Sequence, residues 1–577
     1  MELIKKGIYI CIAYISYLAF FTQAPIIFIP LQHFGGAIFI IAVSYLYIKY
    51  NLFKIKKAEL IFSLLLSIFY YIGISFSRYD SFALFTASPL YALYSIIILF
   101  GFFCFFYGCV CFITEKILLL KIKINNKKIK YDNFLFIFIF LIIAWLPYLF
   151  IYFPGTLIND TVRQLAQFMS ITPYINHHPI ISTFFMGALY RLGLVFDSAV
   201  LGLALITLAH NIMMAAVFSL ALFYLRKWGV MGNVRIVVLL FFAFFPVYGI
   251  WAQTLLKDTH AAAVMLLFAL FYIDIIREPS RRGWVLCALA AMLASLLRNE
   301  VVYVVVPSIL MLVFITSGKK TRITVVGTAV AVFITVRVII SGAMALTDAA
   351  PGSVGEVLSI PFQQTARFVR DHEITEAERA VLSATFNHYE QLGEIYLPRI
   401  SDPVKSRLME GADLNAYFRV WAGMGLRAPL TYLEAAIAVS FSYVVPFGPD
   451  WQIVWPEASY NAIPVLGRDD INQIFSNRTM RMLPARGIEF IERLPIVGLF
   501  FHTGNYTWMM AFFIMLLAKR GERRSFLYFI PAMMIILACM ASPVHGYWRY
   551  YLPILFMFPV LASLTFTHVV KGKEFND

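Results

Sequence analysis

Charge is what this sequence has least of. Asp, Glu, Lys and Arg make up 14% of its 577 residues, against roughly 25% in soluble domains. Acidic side chains are the scarcer sign, 32 against 47 Lys and Arg, which leaves a net charge of +15. Cysteine is also rare. Cys11, Cys104, Cys109, Cys111, Cys287 and Cys539 all lie in apolar runs, and none has a zinc-type spacing with histidine. That excludes a disulfide framework and leaves them as reduced packing residues. Soluble-enzyme motifs are missing too: no P-loop, no dinucleotide fingerprint after a strand, no HExxH and no GxSxG. Gly318-Lys319-Lys320-Thr321 has a P-loop's tail but neither its upstream glycine nor its strand, so it reads as a basic loop. These absences argue against a nucleotide-driven reaction. No tandem repeat is evident.

What is abundant is apolar. Hydrophobic residues are 61% of the chain, against roughly 45–50% in soluble domains. A soluble protein cannot hide that much apolar surface, and disorder needs low hydrophobicity. The remaining class is an all-α polytopic membrane protein. A span needs about 20 apolar residues, fewer inside a bundle. Stretches 7–29, 33–50, 59–77, 89–114, 133–153, 198–225, 235–251, 258–276, 283–297, 301–316, 323–345, 501–517, 525–541 and 549–567 qualify, about fourteen spans. The first follows Lys5 and Lys6 without a cleavage site, as a retained anchor does.

Orientation follows from basic bias. With both termini cytoplasmic, 27 of the 47 Lys and Arg fall in the N-terminus, 49–57, 116–130, 226–235, 277–282, 319–322, 519–524 and the tail. The basic excess is then an insertion signal and an attraction to anionic lipid, not a nucleic-acid surface. Residues 178–196 are apolar enough to cross, but crossing would invert every later loop. They read as a helix at the outer interface, with Arg191 snorkelling to water. Segment 346–492 holds 18 of the 32 acids and 12 basic residues, a folded extracytoplasmic and mainly helical insertion. Thr375-x-x-Glu378 marks a capping box there, and Asp402-Pro403 a helix cap followed by proline. Residues 430–446 are apolar enough to embed in the interface. Four units follow: an accessory module of four spans (1–130), a core with outer loop 154–197 (131–345), the insertion (346–492) and a C-terminal three-span segment (493–577).

Ionisable groups at a membrane are costly, so those present are functional candidates. Pro154-Gly155 ends the fifth span. Asn159 or Asp160 then reads as the cap of a short helix carrying Arg163 and Gln164. The same loop continues to His177-His178-Pro179. Lys257-Asp258, Arg298-Asn299-Glu300 and Arg549 fall on the same side in this topology, where basic residues run against the positive-inside rule. Taken singly, each is an ordinary interfacial anchor, with Trp548 and the tyrosines as an aromatic belt. Their convergence beside Asp160 is not explained by anchoring.

This pattern resembles the GT-C superfamily of polytopic membrane glycosyltransferases, in which an acidic residue sits in a first outer loop followed by interfacial helices. The likeness to a bacterial branch related to that superfamily rests on FPGTLINDTVRQ (153–164), HHP (177–179), KD (257–258), LRNE (297–300), IPFQQTARFV (360–369), SDPVK (401–405) and RYYLP (549–553). It covers most of the chain after residue 130. Two features depart from the family: a single acid, Asn159-Asp160, stands where two are common, and about four spans precede the loop. The resemblance implies a bacterial plasma-membrane enzyme. It would transfer sugar from a polyprenyl-phosphate donor to a glycan or lipid acceptor of the cell envelope on the outer face, with inversion. Chemistry then suggests Asp160 as general base and Arg549, Arg298 and Lys257 as donor-phosphate ligands. Secondary candidates are Arg163, His177, His178 and Asp258, with Gln363, Gln364 and Arg367 on the acceptor side. No protein metal site or cofactor is required, and a divalent ion is left open. The rival readings are a transporter or flippase of a lipid-linked saccharide and a non-catalytic scaffold. The chain shows no internal symmetry of the transporter kind.

Overall fold

A computed structural model describes residues 2–23, 34–50, 55–120, 133–314, 318–451, 453–455, 463–468, 471 and 478–571. These residues form an all-α, multi-pass membrane protein. Eight helices are long and apolar enough to cross a bilayer, and a ninth crossing is a bent pair, Gly232–Phe244 and Pro246–Gln253. The pair breaks by 49° at Pro246, where the ring cannot continue the hydrogen-bond ladder. The other five stretches expected to span form shorter helices. Phe34–Tyr50, Arg281–Leu297 and Thr503–Lys519 have 17 residues each. Val302–Met311 has 10 and Ile530–Met540 has 11, each joined to a 3-10 turn. Residues 24–29 of the first expected span lie outside the described residues.

Helix ends follow local chemistry. Asn133 caps Phe134–Tyr152 by accepting from Leu135 N at 2.8 Å. Ser198 caps Ala199–Lys227, whose last turn carries Arg226 and Lys227 against the carbonyl end. The Lys257–Arg277 helix is almost wholly buried and forms the axis of the core. Its 21 residues are about 31 Å long. Lys257 stands at one end, and at the other Asp274 binds Lys227 at 2.7 Å.

The four helices Glu2–Gln23, Phe34–Tyr50, Lys57–Tyr79 and Pro89–Leu119 pack as a unit with their own aromatic core. Residues 358–432 also bury a core of their own, around Phe362, Phe386, Tyr417 and Tyr432. The capping box at Thr375 and Glu378 is present. The cap at Asp402 is not: Ser401 holds that position and Asp402 opens the helix. Ile180–Val195 is a 16-residue helix with Arg191 exposed, and Pro429–Ser440 has 12 residues. All six cysteines are free, and Cys11 is exposed rather than packed.

One non-helical element decides where the site forms. Thr156–Leu157 (β1) pairs in parallel with Thr254–Leu255 (β2), in the register Thr156↔Thr254 and Leu157↔Leu255. Both strands are fully buried. Backbone at such depth must satisfy its polar groups internally. The Thr161 hydroxyl donates to Leu255 O, and Thr207 donates to Pro154 O at 2.5 Å. Arg481 donates to the carbonyls of Tyr152, Phe153 and Gly155 at 2.8, 2.9 and 3.1 Å, closing the end of the preceding helix. Gly155 takes φ +133°, and a Cβ there would stand 2.3 Å from Thr207 Oγ1. Each strand runs straight into a helix, so the sheet places the first turns of Asn159–Phe168 and Lys257–Arg277 side by side.

Candidate active site

Asp160 lies in the first turn of its helix, and Ile158 is the cap residue, without a side-chain cap bond. The expected capping role for Asn159 or Asp160 is thus overturned. The carboxylate turns instead to two cations. Asp160 Oδ2 accepts from Arg549 Nη1 at 2.8 Å and lies 3.6 Å from Lys257 Nζ. Burial alone would raise this carboxyl. Arg549, then Lys257, overcome it and hold Asp160 well below the usual carboxylate range.

Lys257 Nζ is 3.0 Å from His178 Nδ1, and His178 is 2% exposed. An ammonium can only donate, so Nδ1 accepts and the ring proton sits on Nε2. Burial, then the neighbouring ammonium, pushes the His178 imidazole far below its ordinary range, and the ring is neutral. The ring of its neighbour His177 packs edge-on to it at 4.8 Å, with Nδ1 3.9 Å from Glu356 Oε1.

A second ion pair abuts the first. Arg298 leaves the end of Arg281–Leu297 in extended backbone and meets the buried Asp258 at 2.6 Å and Glu300 at 3.5 Å. Tyrosine rings bracket the guanidiniums. Arg549 lies 4.6 Å from the Tyr547 ring and 5.0 Å from Tyr550, and Arg298 lies 4.8 Å from Tyr550. These are cation–π distances, so both tyrosines belong to the site rather than to an interfacial belt. Asp160 and Asp258 each face cations of the trio Lys257, Arg298 and Arg549, and Glu300, 69% exposed, lies at the edge of the cluster. The helices after residues 158, 179, 256 and 547 all begin here, and their positive ends add a field that favours an anion.

The fold therefore gathers Asp160, His178, Lys257, Asp258, Arg298 and Arg549. Arg163 is exposed on the helix carrying Asp160. Gln363, Gln364 and Arg367 are used elsewhere. Gln363 donates to Leu397 O and Ile400 O, and Gln364 to Tyr432 O. Arg367 binds Glu434 at 2.6 Å and Asp80 O at 2.7 Å. They hold the 358–432 unit together and fasten it to the N-terminal module; they do not face the Asp160 cluster.

A buried chain was missed from sequence. One helical turn beyond His178 and Lys257, Ser182 Oγ lies 2.8 Å from His260 Nε2, and His260 Nδ1 lies 3.1 Å from His210 Nε2. All three are fully buried. The available signal was two histidines inside otherwise apolar helices. Among the described residues, no group of three or more His, Cys, Asp or Glu is placed to hold a metal ion. No curated protein and no solved structure matches the chain. Residues 170–574, which carry every site residue except those of the Asp160 helix, match DUF6020, described as a family of unknown function, and the chain belongs to that family.

Proposed function

We propose that this protein is a membrane glycosyltransferase that moves a sugar from a polyprenyl-phosphate donor to a hydroxyl acceptor of the cell envelope. One observation carries the reading. A half-buried carboxylate, Asp160, stands in direct contact with two cations, Arg549 and Lys257, where four helix N-termini meet. The reaction needs both kinds of group at one point. The acceptor oxygen attacks the anomeric carbon and passes its proton to Asp160. The bond from that carbon to the phosphate oxygen breaks, and the electron pair leaves on the lipid phosphate. Arg549 and Lys257 hold that growing charge in a water-poor site, with Arg298 behind them. The Nε2–H of His178 is a further donor. Attack from the face opposite the phosphate inverts the anomeric centre. Asp160 and Asp258 each already face a cation.

The positive-inside rule supports an outer location. Lys319–Thr347 has Lys319, Lys320 and Arg322 at the end away from the site. The test is transfer by purified full-length protein in liposomes from polyprenyl-phosphate hexoses to a hydroxyl acceptor. Asp160→Asn should lower the rate about 10²–10⁴-fold while the variant still folds. Near-wild-type transfer by that variant would remove the base from the reading. A second reading, movement of a lipid-linked saccharide across the bilayer, is favoured by the broken helix at Pro246. It expects the saccharide to change leaflet with its phosphate bond intact.

A further inference from the structure

We infer that the carboxylate of Asp160 occupies the seat of an incoming phosphate, so that ligand binding is an exchange of one anion for another. The inference rests on the proposed function for the identity of the ligand, but its argument is local. Each of the three cations already faces a carboxylate, Arg549 and Lys257 facing Asp160 and Arg298 facing Asp258, with the exposed Glu300 at the edge. A phosphodiester brings another negative charge into a site where Asp160 and Arg549 are only 19% and 14% exposed. Burying an uncompensated anion is costly. The ligand must therefore take over the two cations nearest Asp160.

The donors for that exchange are present. Arg549 gives Nη1 to Asp160 and Nη2 to Tyr550 Oη at 3.2 Å. Its buried Nε has no hydrogen-bond partner among the described residues. Lys257 spends one proton on His178, and its 3.6 Å approach to Asp160 is longer than a hydrogen bond. Two cations with spare N–H groups suit the several oxygens of a phosphate better than one carboxylate oxygen. Asp258 is less free to leave, because it is 1% exposed and paired with Arg298 at 2.6 Å. Asp160, at 19% exposure, is the partner with room to leave. Once displaced it loses its contact with Arg549, and its basicity rises only when a donor is bound. The free enzyme then does not activate water against an empty site.

The exchange makes a prediction of opposite sign for two neighbouring residues. The probe is citronellyl phosphate, a ten-carbon prenyl phosphate, titrated into full-length protein in nanodiscs by calorimetry. Inorganic phosphate and citronellol serve as the head-only and tail-only arms. Asp160→Asn removes the competitor and should tighten the probe by about tenfold, and Arg549→Gln should weaken it by a similar factor. Tightening for the ester alone assigns the seat to a lipid head group; equal tightening for inorganic phosphate assigns it to phosphate in general. Asp160→Ala replaces Asp160→Asn if the latter does not give a monodisperse, cooperatively unfolding protein. Unchanged or weaker binding by a folded Asp160 variant overturns the exchange, as does a wild type and variant that both ignore the probe. Tightening in a protein that transfers no sugar keeps the exchange and removes the glycosyltransferase. Transfer by a wild type whose Asp160 variant binds no tighter removes the exchange alone.

Discussion

The coupling between Asp160 and Arg549 can be measured without knowing the substrate. Their polar atoms are 2.8 Å apart. Charge centres in such a pair lie about 4 Å apart, and at an effective dielectric of about 20 they attract by about 4 kcal/mol. Partial exposure of both side chains screens some of this, and Lys257 at 3.6 Å compensates in part when Arg549 is lost. A coupling of about 2 kcal/mol remains. The perturbation is a double-mutant cycle of Asp160→Asn, Arg549→Gln and both together. Equilibrium unfolding of full-length protein in mixed micelles, followed by tryptophan emission, supplies the assay. Each single change leaves a half-buried charge facing a neutral amide, whereas the double change leaves two amides able to bond each other. The double variant should therefore lose about 2 kcal/mol less than the sum of the single losses. Losses that add within about 0.5 kcal/mol would refute the electrostatic account of the cluster.

Two further outcomes test the scaffold and the buried ring. Gly155→Ala forces a Cβ to 2.3 Å from Thr207 Oγ1 and 2.9 Å from the Leu255 side chain at φ +133°. Unfolding free energy should fall by about 2 kcal/mol or more, whereas Gly327→Ala, which meets nothing within 4 Å, should leave it nearly unchanged; equal effects would mean the strand crossing is not tight. The His178 ring is neutral when folded and titrates near pH 6.5 when unfolded. Above that pH both states are neutral; below it the unfolded chain takes up a proton the folded one refuses. Stability should fall by about 1.4 kcal/mol per pH unit on acidification below about 6.5. His178→Gln should flatten the slope between about pH 6 and pH 4.5 by that amount, and an unaltered slope would place the ring in water.

The site residues stood out in sequence because an apolar chain makes each charge conspicuous. Asp160, Lys257, Asp258, Arg298 and Arg549 were separable from background for that reason. What sequence could not give was their partners. Asn159-Asp160 ahead of a helix has the composition of a cap, but capping is worth only about 1 kcal/mol. A cation pair supplied from residues 257 and 549 outweighs it, and the helix starts one residue earlier. Gln363, Gln364 and Arg367 carry the opposite lesson. On an isolated helix they look available, yet their partners, Leu397, Ile400, Tyr432 and Glu434, come from segments with no visible link to them. Hydropathy also continues where the helix does not, so the expected span 525–541 becomes an 11-residue helix behind a 3-10 turn, and the expected span 235–251 is a pair bent at Pro246.

The two-residue sheet explains why the charges meet where they do. Two residues carry no periodicity, so nothing in the sequence announces the pairing. Its consequence is nonetheless large, because it aligns two helix starts that are nearly a hundred residues apart. The backbone around it is already engaged: Thr161 on Leu255 O, Thr207 on Pro154 O, and Arg481 on three carbonyls. Those carbonyls are thus not open to neutralise Lys257 or Arg549. Compensation falls to carboxylate side chains, which can rotate away as a carbonyl fixed in a strand cannot. A rigid, self-satisfied backbone carrying movable counter-charges is what a site needs if it is to accept an anion without unfolding around it.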